Sequence, residues 1–362
     1  MEIATEPPVS EVEVVRRAAA NLASRLPRGW SIQPVEVAAL TDGRIDALYQ
    51  LTAPDGRSAS LVVEAKTMLD GRDVGAVGDQ LMAYAEQVVN GQGILAARYL
   101  SPQVREQLAE RGLSFVDTTG NIRLEVTSPG LFIADRGADG DPWRGPGRPR
   151  GTLKGVPAAR IVRAIADFAR DWTIRELVTT SGASTGAAYR VIDFLEREGL
   201  AERGARGAVT VPRWDKVLLR WSDDYSFVEN GRVTRWIAPR GLEDLVKRLP
   251  RTEALEYALT GTLAAAQWAP HAPARSAMIY TADAGTAAAQ WDLRPADAGA
   301  NVMLAEPAID VPFVRTSTNA DGVRIAAPTQ VFVDLMTGPG RSPQEAEELL
   351  HWMVANEQAW RS

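Results

Sequence analysis

Three residues near the start of the chain have the types and spacing for phosphate chemistry: Asp46, Glu64 and Lys66, in a stretch running from Arg44 to Lys66. Apolar and β-branched residues flank Pro54-Asp55-Gly56, which reads as two short strands around a tight turn. In a hairpin symmetric about Asp55, Asp46 lies across from Glu64, and cross-strand neighbours have Cβ atoms about 5 Å apart. Lys66 shares the face of Glu64, because side chains alternate along a strand. Like charges placed opposite one another destabilise a hairpin. A divalent cation relieves that repulsion: hard oxygen ligands suit magnesium, and the metal positions and acidifies a water for attack on a phosphate.

The pattern of an Asp, a hairpin-length gap and Glu-x-Lys resembles that of the PD-(D/E)XK nuclease superfamily. The resemblance implies that Asp46 and Glu64 are metal ligands, assisted by the carbonyl of Ala65, and that Lys66 orients the water and offsets charge on the phosphate. Gln80-Leu-Met-Ala-Tyr84 is similar to the Gln-x-x-x-Tyr element of RecB-type members, a spacing that puts both polar side chains on one helix face. No proline precedes Asp46, and Glu11, Glu13 and Glu36 are equal candidates for the further acidic residue that many members carry.

The elements that must hold these residues follow the same plan. From Ser10 to Leu26, Val12, Val15, Ala19, Leu22 and Leu26 recur at helical spacing, with Ser10 as N-cap and Glu13 completing a capping box. A strand from Ser31 to Val37 precedes the hairpin, and a helix over Val74 to Val89 follows it. Next come a buried strand at Gly93 to Arg98, a helix opened by Pro102 and stopped by Gly112, and strands at Leu113 to Val116 and Asn121 to Val126. This order is the one expected of a restriction-endonuclease-like α/β core.

A chain of 362 residues suggests two or three domains, and its 45% apolar and 24% charged content is that of an ordinary globular protein. Without cysteine there is no disulfide or thiolate chemistry, and His271 and His351 are too few and too far apart for a zinc site. Any metal therefore rests on carboxylates. No apolar run reaches the roughly 20 residues of a membrane span, and the opening Met1-Glu-Ile-Ala-Thr-Glu has no signal-peptide character, so a cytoplasmic protein is expected. A net charge of -6 does not itself point to nucleic acid, so a DNA reading rests on local basic patches.

One such patch begins beyond residue 135. The stretch 136–155 is rich in glycine, proline and arginine and reads as a linker. Its centre, Gly147-Arg148-Pro149-Arg150-Gly151, resembles the AT-hook, an extended segment that lays arginines into the narrow minor groove of A·T-rich DNA. Ala158 to Arg170 then reads as a helix, Thr173-Ile-Arg-Glu176 as a capping box opening a second, and Ser184 as the cap of a third running from Thr185 to Glu198. Two short strands around a glycine-rich turn follow, so residues 156–213 resemble a winged helix-turn-helix. Ala187, Val191, Ile192 and Leu195 bury the third helix, and its exposed turns carry Thr185, Ala188, Tyr189 and Arg190 for base edges and phosphates. Arg148, Arg150, Lys154, Arg160, Arg163, Ser184, Tyr189, Arg190, Arg203 and Arg206 together suit double-stranded DNA.

The last part, 214–362, opens within Pro212 to Arg240, a tryptophan-bearing stretch that reads as a connector. Two helices are expected from Leu242 to Trp268, strands at Ser276 to Tyr280 and Ala300 to Leu304, a helix starting at Pro328 and an acidic helix from Pro343 to Gln358. The region resembles the C-terminal domain of AbiEi-type antitoxins and, more remotely, the nucleotidyltransferase fold. Transferase chemistry needs paired aspartates on the strand that here reads Ala277-Met278-Ile279-Tyr280. The resemblance therefore implies a catalytically silent partner-binding or dimerisation domain, with Glu306 and Asp334 as ordinary surface or capping acids. Two functions are in view: a DNA-binding transcriptional regulator that carries a nuclease-like domain, and a magnesium-dependent DNA endonuclease targeted by the winged helix.

Overall fold

The computed structural model describes residues 6–35, 45–143, 151–204, 207–251, 255–338, 340 and 342–361. The chain forms two compact units, one of Met1–Pro149 with Leu195–Leu200 and one of Arg150–Phe194 with Ala201–Ser362.

The first unit opens with α1 (Glu11–Ala23), β1 (Ser31–Val35), β2 (Ala47–Thr52) and β3 (Ser58–Lys66). It continues through α2 (Val74–Ala85), β4 (Gly91–Ala97), α3 (Pro102–Glu110), β5 (Ser114–Asp117), β6 (Ile122–Val126) and β7 (Leu131–Asp135). Its seven strands lie side by side in sequence order. The central pairs β3/β4 and β4/β5 are parallel and the outer ones antiparallel. One face packs Leu61, Val63, Ala65, Ile94 and Ala96 under α1, while the other packs Val62, Leu95 and Phe115 under α2 and α3. Both faces are covered, which explains why Leu61-Val-Val63 and Ile94-Leu-Ala96 are unbroken apolar runs rather than alternating ones.

The α1 stripe differs from the one its spacing suggested. Val14, Ala18 and Leu22 are buried, whereas Val12 is 80% exposed and Val15 only borders the core. Apolar residues stand on two sides of the first turn, and the four-residue repeat from Val14 is the one that meets the sheet. Ser10 Oγ accepts the Glu13 N–H as expected, but the Glu13 carboxylate takes the N–H of Val9 instead of closing the box on Ser10.

In the hairpin the register is symmetric about Asp55, from Thr52↔Ser58 to Ala47↔Val63. Asp55 Oδ1 accepts the Arg57 N–H at 3.0 Å, and Gly56 adopts φ +85°, a conformation the tight turn requires and glycine permits. The glycine-rich stretch from 136 is pinned as far as 143. Gly137 N–H donates to Asn121 Oδ1 at 2.9 Å, Tyr99 Oη to the Asp139 carbonyl at 2.7 Å, and Arg98 pairs with Asp141 at 2.6 Å.

The second unit begins with a tethered segment, Leu153 being buried with its N–H on Asp224 Oδ2 at 2.6 Å. Then come α4 (Val156–Asp167), α5 (Ile174–Ser181), α6 (Thr185–Arg197) and an antiparallel pair, β8 (Glu202–Arg203) and β9 (Val209–Thr210), with Trp172 bridged to Val209. The stretch read as a connector instead holds α7 (Trp214–Ser222) and β10 (Gly231–Ile237). Trp214 and Trp221 are buried, and α7 packs on α4. After α8 (Leu242–Arg248) a strand, β11 (Tyr257–Thr260), precedes the short α9 (Gly261–Ala265).

The remainder comprises β12 (Ala277–Thr281), α10 (Ala284–Gln290), β13 (Arg294–Pro295), β14 (Val302–Pro307), β15 (Ser317–Thr318), β16 (Arg324–Ile325), α11 (Pro328–Met336), α12 (Ser342–Ala355) and α13 (Glu357–Trp360). Among the described residues this second sheet has the order β13-β10-β14-β12-β11-β16-β15. Both β10 and β11 escaped the sequence reading because each draws its stability from partners distant in the chain.

Candidate functional site

The carboxylate site of the first unit is built from the start of β2 and the end of β3. Val62 faces α2, and alternation carries Glu64 and Lys66 to the same side. Asp46 is not a simple ladder partner of Glu64. Its N–H donates to the Val63 carbonyl at 3.1 Å and its Oδ2 accepts the Ala65 N–H at 2.7 Å, so the two bonds bracket Glu64 along β3. The Asp46 side chain thus takes the place of a backbone carbonyl, holding the second acid beside the first. Glu64 is 6% exposed and its Oε1 accepts from Lys66 Nζ at 2.6 Å. Burial pulls the Lys66 ammonium down, but the bond to Glu64 and the charges of Glu64, Glu11 and Asp46 leave its pKa raised. It stays protonated at neutral pH.

Glu11, at the start of α1, is therefore the third acid whose field reaches the site. Glu13 is committed to Val9 and Arg17, and Glu36 lies outside the described residues. Gln80 and Tyr84 do share one face of α2, Gln80 exposed and Tyr84 half-buried against the core. Among the described residues, neither hydrogen-bonds to Asp46, Glu64 or Lys66.

For magnesium, the test is the donor set. Asp46 Oδ1 and Glu64 Oε2 accept no hydrogen bond among the described residues, and hard carboxylate oxygens are what the ion takes, usually one or two with water completing its shell. No group of three or more acids or histidines is placed to hold a metal among the described residues. The residues fit a cation held by two carboxylates and open to water.

The second candidate surface is α6. The capping box at α5 is present: Thr173 Oγ1 accepts the Glu176 N–H at 3.2 Å and Glu176 Oε2 the Thr173 N–H at 2.8 Å. Gly182, at φ +65°, ends α5, and Ser184 Oγ accepts the Ala187 N–H at 3.3 Å to start α6. Ala187, Val191, Ile192 and Leu195 are buried as their spacing requires. Ala188 is buried too, contrary to expectation, because the buried stripe is one residue wider than those four positions. Ser184, Thr185, Tyr189 and Arg190 point to solvent, and Arg190 makes no ion pair among the described residues.

Other basic residues behave differently from what their charge suggested. Arg163 is 2% exposed and spends its donors on Asp167, Gln330 and the carbonyls of Val311 and Val314. Arg160 is bidentate on Asp310. Arg163 is thus enclosed and Arg160 paired at the surface, because α4 turns both toward the C-terminal part. Arg203 lies 5.7 Å over the Tyr189 ring and is paired with Asp193, and Lys154 is exposed. Arg148, Arg150 and Arg206 lie outside the described residues.

Asp334 is the largest departure from the sequence reading. It is fully buried on α11, accepting from Thr260 Oγ1 at 2.6 Å, Tyr280 Oη at 2.7 Å and Gln330 Nε2 at 3.0 Å. Burial outweighs these three donors and raises its pKa to about 7. Gln330 also accepts from Arg163, so a continuous polar chain joins α4 to the centre of the second sheet. The signal for it was an i, i+4 polar pair, Gln330 and Asp334, inside a largely apolar helix. Glu306, by contrast, caps α10 as expected, accepting the Ala284 N–H at 2.9 Å. The strand β12 is buried throughout, and the first acid after it, Asp283, caps α10 as well.

No helix among the described residues is long and apolar enough to cross a membrane. No curated protein and no solved structure matches the chain. Residues 213–353, from the end of the β8/β9 pair into α12, match the family described as "Transcriptional regulator, AbiEi antitoxin, Type IV TA system", and over that span the chain is similar to those regulators.

Proposed function

We propose that this chain is a transcriptional regulator that binds double-stranded DNA through α6, with α4 to α6 and the β8/β9 pair acting as a winged helix-turn-helix. The supporting observation is the outward face of α6, where Ser184, Thr185, Tyr189 and Arg190, the last without an ion pair among the described residues, stand on a helix whose opposite face is buried. The similarity of 213–353 to a regulator family agrees with it. Lys154, Arg148 and Arg150 supply a minor-groove arm ahead of the first helix, Arg203 and Arg206 contact phosphate from the hairpin, and the C-terminal sheet binds a protein partner or a second copy. Arg190→Ala lowers affinity for the cognate site by about tenfold, while the double substitution of Arg148 and Arg150 by Ala weakens all duplexes and flattens the salt dependence. Gel-shift titrations at several salt concentrations read both effects. Unchanged affinity in every variant sinks the reading.

A second activity, magnesium-dependent phosphodiester cleavage, is favoured by one observation: Asp46 braced around Glu64 with Lys66 beside them. Asp46 and Glu64 hold the ion, which when bound supplies an acidified water and neutralises phosphate charge. Lys66, kept as an ammonium, orients the water and the phosphate electrostatically and does not serve as a base. Gln80 and Tyr84 position substrate from α2. Plasmid incubated with magnesium is nicked by the native chain and not by Lys66→Ala; intact plasmid with both proteins rejects the cleavage reading and leaves the regulator.

A further inference from the structure

An open groove of about 420 Å³ lies between α3 and the β6/β7 strands, walled by Arg105, Arg123 and Arg136 over Phe115 and Ile122. The key group is Arg105. Its side chain is 13% exposed, with Nη1 donating to Asn121 Oδ1 at 2.7 Å and Nη2 to Asp139 Oδ1 at 2.9 Å. Its Nε is buried and has no hydrogen-bond partner among the described residues.

Arg123 is paired with Glu125 and rests 5.1 Å from the Phe132 ring, which is 59% exposed. Arg136 is exposed and makes no ion pair among the described residues. Asp135, the one acid lining the groove among the described residues, is committed to Arg25 at 2.6 Å and to the Arg136 N–H at 2.9 Å, and its pKa is lowered by those bonds. The groove therefore offers Arg136, with no ion pair among the described residues, and the two paired guanidinium groups of Arg105 and Arg123, beside the exposed Phe132 ring.

We infer that this groove binds a nucleotide, with its phosphate on Arg105 and Arg136 and its base stacked on Phe132 beside the Arg123 guanidinium. Guanidinium donors match phosphate oxygens in charge and geometry, and an aromatic flanked by arginine stacks any base. The volume suits one nucleotide, either free or as part of a single strand. This inference does not depend on duplex binding by α6.

The test uses the full chain with two probes, AMP by equilibrium dialysis and a fluorescein-labelled 12-nucleotide thymidine strand by anisotropy. Native protein binds at least one. The double variant Arg123→Ala with Arg136→Ala, both at groove-wall positions, weakens that binding about tenfold and, for the strand, lowers the salt slope by roughly 0.7, the loss of the one phosphate contact made by Arg136. Phe132→Ala weakens it in the same direction. Arg190→Ala leaves both probes unaffected, which separates this groove from the α6 surface. AMP binding without strand binding assigns a free nucleotide as the ligand, and strand binding, whether alone or in competition with AMP, assigns nucleic acid. Binding of neither probe, or equal binding by native and double-variant proteins, overturns the inference.

Discussion

At the scale of single residues, Asp334 and Lys66 show how burial sets the behaviour of a charge. Asp334 has its pKa raised from 3.8 to about 7, so the folded state holds its proton more tightly than the unfolded chain. Its contribution to stability is full below about pH 4 and is lost as pH rises toward and through 7, on the order of a few kcal/mol in total. Urea midpoints for unfolding of the second unit should fall between pH 4 and 8, and Asp334→Asn should flatten that fall. A native protein whose midpoint rises over the same range contradicts it. Lys66 acts in the opposite sense, as the partner of a buried acid. Lys66→Met strands Glu64 and should cost about 1–2 kcal/mol, between the values for exposed and for buried pairs because the ammonium is part-exposed. Adding Glu64→Gln should recover most of that loss, measured by thermal melting.

At the scale of elements, the turn between α5 and α6 carries the positioning of the proposed DNA face. Gly182 sits at φ +65° with only the end of the Arg160 side chain near it, so strain and not crowding decides what a substitution does. Gly182→Val should destabilise the second unit by roughly 1–2 kcal/mol and weaken duplex binding by moving the start of α6, both readable in one preparation by melting and anisotropy. Much at this scale was legible: the hairpin register about Asp55, the Thr173 capping box and the Ser184 cap all depend on neighbours within a few positions. The rotation of α1 was not, since Val12, Val14 and Val15 are equally apolar in sequence and only the sheet distinguishes them.

At the scale of the whole molecule, α4 belongs with the C-terminal sheet as much as with α5 and α6. Arg163 and Asp167 are buried at 2% exposure each and tie into Thr329, Gln330 and the carbonyls of Val311 and Val314. Asp167→Ala leaves the Arg163 cation uncompensated and should cost about 3–5 kcal/mol. A fragment of 214–362 lacks α4 and exposes the surfaces of α7 and α11 that it covers, so it should unfold at lower denaturant than a fragment of 151–362. Equal midpoints for the two fragments would show that the C-terminal part needs no help from α4.

From the sequence alone came the local chemistry: which acids flank which lysine, where helices start and stop, and which face of α6 is apolar. These follow from spacing, turn preferences and capping, all of which act over a few residues. Only the tertiary structure decided that Asp46 brackets Glu64, that Glu11 and not Glu13 acts on Lys66, that Arg163 and Asp334 are interior, and that Arg105, Arg123 and Arg136 line one groove. Each depends on what packs against a side chain from a distant part of the chain, which spacing along the sequence does not specify, and of these only Asp334 left a local trace, its i, i+4 pairing with Gln330.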